Sequence, residues 1–323
     1  MTKKTKIITR IATIVVVVAV PVAIWSQRWN IHDAMRLRSY NPPAEVSQLA
    51  TDTTMNDSVR RVFYVNRPEL QGREAFNQSC TSSEQTIVLG CFVSGTGIFL
   101  YNVTDERLKG IVQVTAAHEV LHAAYQRLDR REKARVNDML EQTFAKLDNQ
   151  RIKDTIEDYR KNGADITNEL HSILATEVRD LPAELEQYYS QYFTSRVKIV
   201  EFSEKYEQAF TQRRQQVAAA DVKLAELKQR IEAAEATLQT KAEQLKAERA
   251  RMDGLLAAKN YEDFNAAVPA FNASVSAYNA QVASIRRLID QYNALVAERN
   301  AIVTEETELV KAIDSRPDTI QAE

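Results

Sequence analysis

The pattern of apolar and polar positions divides this 323-residue chain into three parts. The first part contains an apolar run from Ile7 to Trp25, which is interrupted by Arg10 and is free of charge from Ile11 onward. A run of this length predicts a transmembrane helix, and Trp25 closes it with a side chain favoured at membrane interfaces. We predict an uncleaved signal anchor within residues 1–29, because no small-residue cleavage site follows the run; a cleaved signal peptide is the rival interpretation.

The second part begins with a predicted juxtamembrane linker at residues 30–58, where Pro42 and Pro43 stand in polar sequence. Short β-branched and aromatic runs separated by glycines then predict a small sheet. The predicted strands are Val59–Val65, Thr86–Leu89, Cys91–Val93 and Gly97–Val103. We expect Gly97–Val103 to form an edge of that sheet.

Beyond the sheet, the apolar positions change to helical spacing. A helix is predicted from about Asp105 to about Leu128, and shorter amphipathic helices follow it. These are Arg131–Leu147, Ile152–Lys161, Thr167–Arg179 and Ala183–Phe193. A small sheet beside several helices predicts an α+β fold that is predominantly helical.

The third part carries a heptad repeat in two registers. In the first register, apolar residues recur every seven positions at Leu224, Ile231, Leu238, Leu245 and Met252. The second register runs from Phe271 to Val296 with alternating spacings of four and three, and it continues to Ile313. The two registers are separated by Gly254, Asn260, Asp263 and Pro269. We predict an antiparallel coiled-coil hairpin over residues 198–316 and a tail at residues 317–323; pairing between chains and a spacer without partners are rival interpretations.

The most specific motif is the segment His118–His122, with the sequence His-Glu-Val-Leu-His. On a helix, the spacing of four places both imidazoles on one face, where they can bind one zinc ion, and Glu119 lies beside the first of them. The flanks are uncharged from Ile111 to Tyr125 apart from Glu119, as expected of a buried active-site helix. Two histidines hydrogen-bonded within an ordinary helix are the rival interpretation.

A catalytic zinc site needs a third protein ligand and an open fourth position. The longer metzincin pattern is excluded, because its additional histidine and glycine are absent downstream of His122. The third ligand is therefore expected to be a glutamate on a later helix. The candidates are Glu169 and Glu177.

Together the two motifs resemble the gluzincin branch of zinc peptidases, which contains anthrax lethal factor and the bacterial peptidase that acts on a glucose-uptake repressor. In that branch the leading glutamate of the second motif binds zinc. The resemblance therefore implies that Glu169 is the ligand and that Glu177 supports the site or packs in its helix. Asn168 and Glu169, followed by Ser172, also resemble the third-ligand helix of thermolysin.

The chain departs from both patterns at three positions in the second motif. Leu170 and His171 replace an aromatic pair, and Ile173 stands where thermolysin-like enzymes carry an aspartate. The residue that orients His118 is therefore open. The resemblance covers about residues 60–195 and implies zinc peptidase activity without a particular substrate.

Metallopeptidase chemistry assigns further roles. Zinc would activate a water molecule, and Glu119 would accept its proton and later deliver it to the leaving amine. The developing oxyanion needs a donor besides zinc, for which Tyr159 and His171 are candidates. Packing between helices is the rival role for Tyr159, and orienting a metal ligand is the rival role for His171.

The cysteines and the flanking charges indicate the location of the chain. Cys80 and Cys91 are the only cysteines, and we predict a disulfide between them, as in exported domains; two unrelated reduced thiols are the alternative. Basic residues before the apolar run slightly favour a cytoplasmic N-terminus. We therefore expect a single-pass protein of the cell membrane, with most of the chain outside the cytoplasm.

Composition narrows the class of function. The net charge is −2, and the chain has no basic stripe, glycine-rich phosphate loop or zinc-finger spacing, so nucleic acid is not an expected partner. We predict a membrane-anchored zinc metallopeptidase acting on a peptide or protein substrate, with its domain at residues 59–197 and the edge strand pairing with extended substrate. The rival is a non-enzymatic envelope scaffold that uses the coiled coil for a protein partner or self-association, with a structural or vestigial zinc site.

Overall fold

The computed structural model describes residues 27–80 and 87–316. It divides into two compact units, of which one contains Met1–Ala209 with Val310–Glu323 and the other is Phe210–Leu309. The described residues are mostly helical, with one small sheet. The predicted α+β class with predominant helix is confirmed.

The first unit is a set of helices around a short sheet. Its described elements are, in chain order, α1 (Arg28–Leu37), α2 (Ala44–Asp52), α3 (Asp57–Val65), β1 (Glu69–Gln71), α4 (Arg73–Ser79), β2 (Gly90–Val93), β3 (Gly97–Tyr101), a 3-10 turn (Glu106–Leu108), α5 (Ile111–Arg127), α6 (Arg130–Lys146), α7 (Gln150–Lys161), α8 (Ile166–Glu177) and α9 (Ala183–Tyr189). Two long helices, α10 (Arg196–Ala257) and α11 (Tyr261–Ile313), connect it covalently to the second unit.

Residues 30–58 are not a linker, contrary to the sequence prediction. They contain α2, whose Val46, Leu49 and Ala50 are buried in the main core. They also contain most of α1, where the buried Asp33 accepts two hydrogen bonds from Arg127, at 2.8 and 2.9 Å. Both helices therefore belong to the folded unit.

The segment Val59–Val65 is helical, so the strand predicted there is wrong. The Asn56 side chain caps α3 by accepting the backbone N–H groups of Ser58 and Val59 at 3.0 and 3.2 Å. The apolar residues then bury one helical face, since Val59 and Phe63 are four positions apart and both fully buried. The cap and this spacing outweigh the strand preference of the valines.

The sheet has the order β1-β3-β2. β3 pairs in parallel with β1 and antiparallel with β2, so it is the central strand. The edge prediction for Gly97–Val103 is therefore wrong, and β2 is an edge strand among the described residues. The predicted strand Thr86–Leu89 is not formed over its described residues 87–89, where one ladder bond joins the Leu89 carbonyl to the Tyr101 N–H at 2.8 Å.

The helix that carries the histidine motif, α5, begins at Ile111 rather than near Asp105. A 3-10 turn precedes it, and Gly110 starts it with a φ of 112°, a left-handed conformation that disfavours other residues. Val120 and Leu121 of α5 have no exposed surface, and the helix packs against α8 through the main core. Truncating either side chain to alanine would cost about 2–5 kcal/mol, the usual range for a buried aliphatic residue.

The second unit consists of the parts of α10 and α11 within Phe210–Leu309, which run antiparallel. Arg213 bonds Glu305 at 3.1 Å, and the Gln281 amide donates to the Ala234 carbonyl at 3.0 Å. The chain reverses at residues 258–260, where Lys259 has a φ of 59°. The turn lies within the predicted break and includes Asn260, whereas Gly254, Asp263 and Pro269 lie inside the helices.

No helix among the described residues is long and apolar enough to cross a membrane. The predicted anchor at residues 1–29 lies almost entirely outside the described residues, which begin at residue 27. The predicted tail at residues 317–323 lies outside them as well.

Candidate metal centre

Two helices bring three predicted ligands together. On α5, His118 and His122 are one turn apart, and their ring centroids are separated by 4.8 Å. Glu169 enters from α8, in the first turn after the Asp165 cap. Its Oε2 lies 3.7 Å from His118 Nε2 and 3.8 Å from His122 Nε2.

These separations fit a single small cation. Two atoms bound to zinc at about 2.1 Å and at the tetrahedral angle lie about 3.4 Å apart, so the site needs only a small contraction. Two imidazole nitrogens and one carboxylate oxygen are also a ligand set that catalytic zinc uses. Glu119 contributes a second carboxylate within 4.8 Å of the imidazoles, but the Glu169 oxygen is closer to both Nε2 atoms.

Asn168, noted in the sequence only for its resemblance to the third-ligand helix of thermolysin, lies beside His122. The atoms His122 Nδ1 and Asn168 Oδ1 are buried and have no partner of full hydrogen-bonding geometry among the described residues. Burial and the charge of His118 lower the pKa of His122 to about 4, and the Asn168 side chain opposes that shift. Metal-binding histidines commonly donate their second N–H to such an oxygen, and Asn168 is the candidate for that position beside His122.

The charged forms of His118 and Glu169 stabilise each other. Burial lowers the pKa of His118, but the Glu169 carboxylate 3.7 Å away, together with Glu119 and Glu177, outweighs burial and raises that pKa overall. Burial likewise raises the pKa of Glu169, and the two histidines more than offset it. Glu169 is therefore held as a carboxylate.

Glu119 is in a different state from Glu169. Glu119 is only 6% exposed. Burial raises the pKa of its carboxyl group to about 7; the charge of His118 opposes this shift, and the charge of Glu169 adds to it. The backbone N–H of Phe92 donates a hydrogen bond to the Glu119 carboxylate and lowers its pKa somewhat. A carboxyl group with a pKa near neutrality can both accept and release a proton under physiological conditions.

β2 approaches α5 so closely that only glycine fits at one point. A Cβ atom on Gly90 would lie 2.5 Å from Thr115 Cγ2 and 2.8 Å from Glu119 Cγ. The sequence analysis treated Gly90 only as a strand separator. The contact shows that it lets the edge strand lie directly against the Glu119 side chain.

Two adjoining cavities open beside the centre. The larger, of about 270 Å³, is lined by both histidines, both carboxylates, Asn168 and the β2 residues. The smaller, of about 150 Å³, extends past His118 and Glu119 toward Tyr206. Tyr159 lines both cavities, and its role as the oxyanion donor stays a prediction.

His171 does not line either cavity. It is fully buried among Tyr125, Tyr188, Tyr189 and Tyr192, and its Nε2 is 2.8 Å from the Tyr188 hydroxyl. Burial and the charges of His122 and His118 lower the pKa of His171 to about 3, so it is a neutral ring of the core. The prediction that His171 is an oxyanion donor fails, because the aromatic cluster separates it from the cleft.

Glu177, the alternative third ligand, is engaged elsewhere. Its Oε2 is 2.8 Å from Arg151 Nη2, and the same guanidinium lies 2.6 Å from Glu207 Oε1. Glu177 lines the smaller cavity rather than the larger one. Glu169 therefore has the geometry of the ligand.

The structure joins Cys80 and Cys91 in a disulfide, with their Cα atoms 6.0 Å apart. Cys80 packs with Phe76 and Phe99 in a small cluster, and Cys91 lies in β2 and lines the larger cavity. The bridge thus holds the edge strand to α4.

Comparisons with protein-family models, with curated proteins and with solved structures find no match to this chain.

Proposed function

We propose that this chain is a zinc metallopeptidase of the gluzincin type. The observation that carries the proposal is the approach of Glu169 Oε2 to within 4 Å of both His118 Nε2 and His122 Nε2 at the side of an open cleft. Three protein ligands leave a position for water or substrate, whereas a structural zinc site is closed by four.

Glu119 is the proposed proton carrier. Zinc, when bound, supplies a Lewis acid that polarises the carbonyl of the peptide bond and lowers the pKa of a coordinated water. The Glu119 carboxylate accepts the proton released during attack and returns it to the leaving amine. The hydrogen bond from the Phe92 N–H holds that carboxylate at the cleft wall.

The edge strand β2 is the proposed support for an extended substrate. Cys91 pairs with Phe99, and two residues earlier the Leu89 carbonyl accepts the Tyr101 N–H. Backbone groups alternate in direction along an antiparallel strand, so those of Gly90 and Phe92 point away from β3. Gly90 and Phe92 both line the larger cavity, together with Glu119. A peptide backbone can add there as a further strand and present one carbonyl to the metal centre.

Tyr159 is the proposed donor to the oxyanion. It lies on α7 and lines both cavities beside His118 and Glu119. A hydrogen bond from the phenol O–H to the developing negative charge would be stronger in the transition state than in the ground state, and it would therefore accelerate the reaction.

We also propose that the catalytic unit works outside the cytoplasm, anchored by the apolar run before residue 26. The Cys80–Cys91 disulfide supports this location, because such bridges persist in oxidising compartments.

The proposal is tested with the full-length protein purified in detergent. We expect about one zinc per chain by elemental analysis and cleavage of a broad peptide library, lost on chelation and restored by zinc. Glu119→Gln should keep its zinc while peptide hydrolysis falls at least about a hundredfold, the scale of a lost general base. A zinc-loaded protein that cleaves no peptide, or a Glu119→Gln variant with full activity, would contradict the mechanism.

A further inference from the structure

The smaller cavity has walls of two chemical kinds. Aliphatic side chains line it from two directions, with Ile87 and Leu89 on the segment before β2 and Ile111 and Val114 on α5. The carboxylate of Glu177 belongs to the same lining, together with the rings of Tyr159 and Tyr206. An apolar passage with an acidic group in its wall therefore leads away from the metal centre.

The charge around Glu177 is not balanced by its partner. Arg151 is 2.8 Å from Glu177 and 2.6 Å from Glu207, so one guanidinium serves two carboxylates. Burial raises the pKa of Glu207, and Glu177 raises it further against the effect of Arg151. The pKa of Tyr206 is also raised, first by burial and then by the negative charges of Glu177 and Glu207. This end of the cavity therefore favours a cation.

The size of the cavity fits one long side chain. Its volume of about 150 Å³ equals the space of about five water molecules in the liquid. A lysine side chain, with a stem of about four carbons and an ammonium group, has about as many non-hydrogen atoms. Such side chains lay their stems along apolar surface and keep the charged end at a polar group.

We propose that the smaller cavity binds the lysine or arginine side chain of a substrate residue next to the cleaved bond, with Glu177 as the group that recognises its charge. The assignment rests on the proposed peptidase function. His118 and Glu119 belong to the lining of the cavity, so a side chain bound there lies beside the metal centre, next to the point of cleavage. Glu177 is a specificity-determining residue in this scheme and not a metal ligand.

Matched peptides test the assignment with the full-length protein. Two series of internally quenched peptides carry lysine, arginine, leucine or glutamate at one of the two residues flanking the cleaved bond. In one series, kcat/KM for the basic peptides should exceed that for the leucine and glutamate peptides at least about tenfold. Binding to the metal-free protein, measured by fluorescence anisotropy, should give a Kd at least about tenfold lower for lysine than for leucine.

Glu177→Gln should reduce the lysine-to-leucine ratio of kcat/KM about tenfold or more. Glu204→Gln is the matched control, because Glu204 makes an exposed ion pair with Arg179 and does not line the cavity. If Glu177→Gln does not fold, the wild-type series decides. Cleavage without a basic preference in either series, or equal Kd values, overturns the pocket and leaves the peptidase proposal standing; no cleavage of any peptide overturns both.

Discussion

Glu169 and Glu177 show how two carboxylates of one helix acquire different tasks. They are eight positions apart on α8, and one meets both histidines while the other meets Arg151. Because a zinc ligand must be within bonding distance of the ion, only the first can complete the centre.

Zinc affinity should therefore separate these two residues. Glu169→Gln should weaken zinc binding by more than the roughly 10- to 100-fold typical of residues that only support a ligand. Glu177→Gln removes the same charge from the same helix and should leave zinc affinity nearly unchanged. Competition with a fluorescent chelator measures both constants, and a larger loss for Glu177→Gln would transfer the ligand role to it.

The sequence alone predicts the histidine pair, but it does not predict the residues that surround the pair in the structure. The i and i+4 spacing alone places His118 and His122 on one face, and that inference needs no tertiary information. The support of His122 by Asn168 and the close approach of Gly90 depend on how α8 and β2 pack on α5. The oxyanion role predicted for His171 is wrong for the same reason, because the tyrosines that surround it are distant in the sequence.

At the scale of elements, α1 is fixed to the end of α5 by a buried ion pair. Asp33 accepts both bonds from Arg127, its side chain is 4% exposed, and Arg61 and His32 lie 3.4 Å away. The Trp29 ring packs against the Arg127 guanidinium, with its centroid 4.8 Å from Cζ. The helix that follows the predicted anchor is thus part of the first unit.

Asp33→Asn should destabilise the protein by about 3–5 kcal/mol near neutral pH, because it leaves the Arg127 charge without its partner. Burial raises the pKa of Asp33, but Arg127 outweighs it and holds the pKa below 3.8. The stabilisation is therefore complete above pH 3.8 and is lost as the pH falls through the native pKa. Denaturant unfolding at neutral and acidic pH measures the difference, with the exposed Asp148→Asn as control. An equal destabilisation at both pH values would contradict this account.

Elements were predicted well where one strong pattern governed them. The helices after residue 130 follow amphipathic spacing and clear caps, such as the capping box of Asp129 and Glu132 on α6. The segment Val59–Val65 failed because its valines suit either element, and the Asn56 cap decides the outcome. The central place of β3 depends on the three-residue strand β1, which is too short to show a period of two.

At the scale of the whole chain, the second unit is a helical hairpin within one molecule. Residues that contact each other across the hairpin lie at nearly equal distances along the chain from the turn. Examples are Arg299 with Asp221 near its base and Ser274 with Glu248 nearer the turn. The heptads predicted the two helices and the interval that contains the turn, but Gly254 and Pro269 made the predicted break longer than the turn at residues 258–260. Gly254 has no close neighbour, and a helix accommodates it at a cost of only about 1 kcal/mol.

Cross-linking can distinguish this hairpin from a coiled coil between chains. The Ser274 hydroxyl is 3.2 Å from Glu248 Oε1, so cysteines at these two positions should be joined by a short thiol cross-linker. Cys80 and Cys91 are already bridged and should not compete. In dilute protein, the product should migrate as a single chain, because both positions belong to one hairpin. The pair Ser274→Cys and Glu226→Cys is the control, since those sites are far apart along the two helices. Predominant formation of linked dimers by the 248–274 pair would show that the heptads join two molecules and that the hairpin is wrong.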